Sequence, residues 1–296
     1  PFGDFALFVG EVPREDGPPG TAGMRAFEAW VNGAEQPRGL GALAKTLSMD
    51  MRSDDAAWLQ LKLNTLATVA EERPFEMPFP PHGERRLFPG VVAATAALIR
   101  WRCEQIGTLP PRPGAAAPMV DALISRDEPH TDTSGTLAWA VDVDNPATGE
   151  AFTLMLKEVT LPTPEGGIVT RPCAVAFSGN YPKALDGLAR VLSLDMRVID
   201  PAWIGMKLRK LLNYAEPLGH FMAFVPGEKR QQTWPSTVAY VARLIIHRYA
   251  MLGVLDDTGQ PLRQMGVLET PDQPLATRPM AGKPCPECGN ATVIHK

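Results

Sequence analysis

The chain has 296 residues, 45% of them hydrophobic, and its 29 basic and 33 acidic side chains give a formal net charge of −4. That composition excludes a disordered chain, and the lack of a basic excess leaves no electrostatic case for nucleic acid as the main partner. No apolar run approaches the ~18 residues of a membrane span, no signal peptide is read, and four cysteines do not make a disulfide scaffold, so a reducing, cytoplasmic setting without a membrane is expected.

In chain order, the turn-like P-F-G-D is followed by a strand, F-A-L-F-V (Phe5 to Val9). The block P-R-G-L-G-A-L-A-K-T-L-S-M-D-M-R (Pro37 to Arg52) reads as a helix, and a second helix starts at Asp55 and carries Trp58, Lys62, Leu63 and Leu66. M-P-F-P-P-H-G-E-R-R follows from Met77, and Phe88-Pro89 opens a long apolar helix ending at Gly107. Pro110 to Ser134, with P-P-R-P-G-A-A-A-P and an apolar patch at Met119–Ile124, reads as a linker with one helical turn.

Thr136–Asp144 and Glu150–Val159 read as a hairpin around N-P-A-T-G, and Pro172–Phe177 as a further strand. Leu185, Leu188, Ala189 and Leu192 fall on one helix face. Asp200-Pro201 supplies an N-cap and a first-turn proline for a helix running to about Asn213. A short strand at Phe221–Val225 and a helix from Pro235 to about Leu252 complete the pattern.

The second half repeats the first. P-K-A-L-D-G-L-A-R-V-L-S-L-D-M-R (Pro182 to Arg197) matches Pro37 to Arg52 at an offset of 145 residues, and the match continues without a gap through Asp55/Asp200, Trp58/Trp203, Lys62/Lys207 and Leu66/Leu211. The expected architecture is α+β: two duplicated domains, each a small antiparallel sheet with helices on one face, related by a pseudo-twofold axis. They are expected at 1–108 and 135–255, with a linker at 109–134, a Pro-rich linker at 256–284 and the start of a cysteine-rich tail at 285–296. The first-domain strand matching Thr136–Asp144 is expected before residue 1, as in a piece of a longer polypeptide.

The twinned block S-x-D-M-R-x2-D-x-A-W-x3-K-L has two readings. One is a pair of anion or nucleotide sites using Arg52 and Lys62, and Arg197 and Lys207, as in a regulatory module. The other, which we take first, is structural: Asp55 and Asp200 cap helices, Trp58 and Trp203 are core, and Asp50 pairs with a basic neighbour. Cys285-x-x-Cys288 is one knuckle of a zinc site or a redox thiol pair, with the spacing of His295 poor for a third ligand. Cys103 and Cys173 read as buried small hydrophobes. No Walker loop, G-x-G-x-x-G, H-E-x-x-H or G-x-S-x-G is present, so the residues assemble no active site.

G-L-A-R-V-L-S-L-D-M-R, D-P-A-W-I-G-M-K-L and T-W-P-S-T-V-A-Y-V-A (Thr233 to Ala242) together resemble the TSCPD domain near the C-terminus of adenosylcobalamin-dependent (class II) ribonucleotide reductases. Thr233 and Pro235 match the naming motif, while Trp234 stands where the family has Cys and Ser236 where it has Asp. The ending G-K-P-C-P-E-C-G is similar to the family's cysteine-rich tail. The resemblance implies a non-catalytic accessory region of such a reductase, or a companion chain to one, linked to deoxyribonucleotide synthesis. Its implied partner is the catalytic domain or subunit, with adenosylcobalamin bound only by that parent enzyme and zinc a candidate at the tail. A stand-alone interaction protein is the remaining alternative.

Overall fold

The computed structural model describes residues 3–14, 23–163 and 166–262. The expectations for the Pro-rich segment after 262 and for Cys285, Cys288 and His295 lie outside the described residues. The fold is mixed α+β, with seven helices and small antiparallel sheets among the described residues. The chain divides into two compact units, Pro1–Ala122 with Asn180–Leu192, and Leu123–Gly179 with Ser193–Lys296. The divisions fall at 122/123, 179/180 and 192/193.

In the first unit, Ala6–Pro13 (β1) and Met24–Asn32 (β2) pair from Ala6↔Asn32 to Pro13↔Met24, with a bulge at Gly10/Glu11. Helix α1 (Leu40–Arg52) buries Leu40, Leu43 and Leu47, one apolar stripe at helical spacing, and packs along β2. Its Ser48 hydroxyl donates to the Ala29 carbonyl at 2.9 Å and accepts from the Ala29 amide at 2.9 Å. Asp55 then caps α2 (Ala56–Leu66), taking the Trp58 amide on Oδ1 at 2.9 Å. A hairpin of β3 (Phe75–Phe79) and β4 (Glu84–Phe88) leads to α3 (Val91–Gln105). Gly90 has no side chain to cap that helix, so Glu71 reaches in from 20 residues upstream and accepts the Val91 amide at 2.9 Å.

The segment read as a linker is docked. It forms a short helix α4 (Pro118–Asp121), and Val120, Leu123 and Ile124 are buried. The Met119 amide donates to the second oxygen of Asp55 at 2.8 Å, so one carboxylate caps α2 and holds α4.

In the second unit, β5 (Ala138–Asn145), β6 (Glu150–Pro162) and β7 (Ile168–Asn180) form a sheet in the order β5-β6-β7. Helix α5 (Ala184–Met196) is the one the unit boundary crosses, after Leu192. Asp200 caps α6 (Pro201–Leu211) through the Ala202 amide at 2.9 Å. The hairpin β8 (Phe221–Phe224) and β9 (Gln231–Trp234) precedes α7 (Thr237–Met251), whose cap is Ser236 and not Pro235. Ile124, Val159, Leu161, Cys173 and Ile199 make one apolar cluster of this unit. Hairpin, helix, helix, hairpin, helix thus recurs along the chain, with helices of 13, 11 and 15 residues each time.

Because Asp55 serves two elements and Asp200 one, Asp55→Ala is expected to cost about 1–3 kcal/mol and Asp200→Ala about 1 kcal/mol. Denaturant unfolding measures both, and faster amide exchange at Met119 in Asp55→Ala alone identifies the second contact.

Candidate functional site

Trp58 and Lys62 are four residues apart, so both side chains lie on one face of α2 and meet the carboxylate of Asp50 in the last turn of α1. The indole Nε1 donates to Asp50 Oδ1 at 2.7 Å. The Lys62 ammonium lies 3.4 Å from Asp50 Oδ2, donates to the Val191 carbonyl at 3.1 Å and sits 4.6 Å from the centre of the Trp58 ring. Asp50, Trp58 and Lys62 are all 0% exposed.

The second unit carries the same chemistry on α5 and α6. Trp203 Nε1 donates to Asp195 Oδ1 at 2.6 Å, Lys207 Nζ lies 3.1 Å from that oxygen, and the ammonium is 5.1 Å from the Trp203 ring centre. Lys207 and Asp195 are 0% exposed. An ion pair this dry is tolerated because hydrogen bonds and the indole face replace part of the lost hydration.

The two arginines of the repeated block differ. Arg52 is half exposed, pairs with Glu28 at 3.0 Å and lies over the Phe27 ring. Arg197 is buried and donates to three main-chain carbonyls: Ser125 at 3.1 Å, Arg126 at 3.0 Å and Cys173 at 3.3 Å. Burial lowers its pKa from the ordinary value. Of the four anion-binding candidates, Lys62 and Lys207 are therefore closed in with carboxylates, Arg197 anchors the docked segment to β7, and Arg52 is at the surface on an acidic partner. Neither Arg–Lys couple is a shared contact.

Trp234 is buried against Tyr240, its ring centre 5.2 Å away. Ser236 accepts the Ala239 amide at 3.1 Å and so caps α7. Cys103 and Cys173 are buried, and burial pushes both thiols up to about 12.

Several buried polar groups carried no sequence motif. Arg171, 0% exposed, donates to the carbonyls of Met196, Val198 and Ile199 at 2.7–3.0 Å, satisfying the end of α5. Arg102–Glu11 and Arg248–Glu158 each tie the last helix of a half to a strand, at 2.5 and 2.6 Å. Asn145 donates to Thr237, which donates to Glu150. For Arg171 the only cue was a charge inside an apolar run.

Two open clefts of the first unit have volumes of about 380 and 410 Å³. The first is lined by Phe79, Arg86, Arg100, Trp101 and Glu104 among others, the second by Arg14, Asp54, Thr108 and Arg112 among others, and neither lining holds a serine, cysteine or histidine. Among the described residues no three His, Cys, Asp or Glu side chains gather as a metal-binding group, and no helix is long and apolar enough to cross a membrane. No protein-family model, no curated protein and no solved structure matches the chain.

Lys62→Met and Lys207→Met each strand a buried carboxylate and are expected to cost about 3–5 kcal/mol, whereas Arg52→Ala is expected to cost about 1 kcal/mol or less. Denaturant titrations of the three variants give the contrast. Cys103 and Cys173 are expected to resist iodoacetamide at pH 8 until the chain unfolds, because almost none of either thiol is thiolate there; peptide mapping of the alkylated sites reads this out.

Proposed function

We propose that this chain is a non-catalytic accessory region of an adenosylcobalamin-dependent ribonucleotide reductase, or a companion chain to one, built from a duplicated TSCPD-like unit and acting in the cytoplasm. The observation that carries the reading is the closed Asp–Lys–Trp cluster in each unit: the most distinctive shared residues lie in the interior, where they hold helices together. Support for duplication comes from the gap-free sequence repeat and the recurring helix lengths. Cys103 and Cys173 are buried with raised pKa values, which disfavours thiolate chemistry at either.

Adenosylcobalamin supplies radical initiation in the parent enzyme, and no residue of this chain is assigned a step in that chemistry. Cys285 and Cys288 hold zinc with further cysteine ligands, or else reduce the catalytic disulfide. In the second case their two thiols become a disulfide while the catalytic disulfide becomes two thiols.

The test mixes the chain with the catalytic part of such a reductase. Co-elution and a several-fold rise in multiple-turnover deoxynucleotide formation are expected, with no product from the chain by itself given adenosylcobalamin and a dithiol. Product from the chain by itself, or neither association nor an effect on turnover, overturns the proposal.

A further inference from the structure

The cleft of about 380 Å³ in the first unit lies between α2, the tip of the β3–β4 hairpin and α3. Its floor is apolar: Phe79, Phe88 and Ala94 form a buried cluster, and Ala97 and Trp101 pack against it. Trp101 is half-buried, and its indole Nε1, shut off from solvent, has no hydrogen-bond partner among the described residues. Two guanidiniums line the same cleft. Arg86 stacks on the Phe79 ring, 4.3 Å from its centre, and Arg100 donates to Asn64 Oδ1 at 2.5 Å.

Both arginines are thus held by neutral groups. Among the described residues neither forms an ion pair, whereas Arg52, Arg85 and Arg230 each pair with a glutamate. A guanidinium stacked on a ring, or using one N–H on an amide, keeps further donors for an anion. Glu104 is the acidic residue of the lining, so the cleft keeps one net positive charge.

The second unit does not keep this chemistry. Helices α3 and α7 are each 15 residues long, and the pairs Phe75↔Phe88 and Phe221↔Trp234 hold the same place in the two hairpins. In that register Gln232 stands for Arg86, Ile246 for Arg100 and His247 for Trp101. The Gly227 turn also lies against His247, where an added Cβ would come 2.7 Å from the ring's Cε1. The cationic, aromatic lining is therefore particular to the first unit, and the repeated pattern of elements does not require it.

We propose that this cleft binds a small planar aromatic molecule carrying a phosphate or carboxylate group. The ring packs on Trp101 and the apolar floor, and the anion takes charge-assisted hydrogen bonds from Arg86 and Arg100. An acceptor on the seated ligand satisfies the Trp101 indole once that ring turns toward it, which removes the cost of a buried donor without an acceptor. The volume falls in the usual range of ligand clefts, about 300–1,000 Å³. The site is independent of the reductase reading.

The probes are 1-naphthyl phosphate and 1-naphthoate, titrated into the full chain by calorimetry, with 1-naphthol and inorganic phosphate as ring and anion alone. Saturable binding of one molecule per chain is expected for at least one of the two aromatic anions, about tenfold or more tighter than for ring or anion alone. The tighter of the two identifies the head group. Arg86→Gln, at an exposed position, and Arg100→Gln are each expected to weaken binding about tenfold or more, while Arg230→Gln leaves it unchanged. The indole N–H resonance missing from the spectrum of Trp101→Phe is the one expected to shift on binding, and circular dichroism checks that each variant folds. No saturable binding, equal affinity for 1-naphthol or for inorganic phosphate, or binding indifferent to both cleft arginines overturns the site.

Discussion

A lysine ammonium in an apolar interior requires a carboxylate within reach, and that requirement organises each unit. Lys62 and Lys207 are 0% exposed, so the helix bearing each must place it against the aspartate of the preceding helix. In the first unit this fixes the turn between α1 and α2, where Asp54 adopts a left-handed φ of 56° and Asp55 starts α2 at once. The tryptophan one turn before each lysine fills the remaining space and donates the bond that a second cation would otherwise supply. Sliding either helix by one residue would rotate its lysine about 100° away from the carboxylate. A dry ion pair is a poor source of net stability but tolerates few alternative arrangements.

Much of this was legible because it is local. Asp before Ala or Pro marks a helix start, and leucines at three-and-four spacing mark the buried face of α1 and α5. The pairing of Asp50 with a basic neighbour and the burial of Trp58 follow from the same short window. What the pattern did not reveal is long-range main-chain satisfaction. Arg171 and Arg197 bond carbonyls 24 to 72 residues away, and a carbonyl has no sequence signature. The segment at 109–134 read as a linker for that reason: its prolines and glycine dominate the composition, while Met119, Ile124 and Ser125 are held by partners elsewhere. Likewise β9, only four residues of Q-Q-T-W, is a strand because β8 lies beside it and not because of its own alternation.

The repeated arginine shows where sequence identity stops informing function. Arg52 and Arg197 follow the same S-x-D-M sequence, yet one faces solvent on Glu28 and the other replaces water around three carbonyls. The difference lies in what surrounds them. In the second unit the chain at 123–126 passes over the helix end, with Ile124 donating to the Arg197 carbonyl and Leu123 bridged to Val198. A residue retained in two copies can thus be a surface ion pair in one and a structural anchor in the other, and only its neighbours decide which.

With the distinctive polar side chains held inside, what is left for a partner is the surface. Three exposed arginines there pair with acids: Arg52 with Glu28, Arg85 with Glu76 and Arg230 with Glu228. Pairs of this kind add little stability and largely cancel one another's field beyond a Debye length of about 8 Å at physiological salt. With a net charge of only −4 on 296 residues, long-range steering of a charged ligand is weak. Recognition by such a surface has to work at contact range, through shape and exposed aromatic area such as Phe8 and Trp30. Such contact-range interactions depend only weakly on salt.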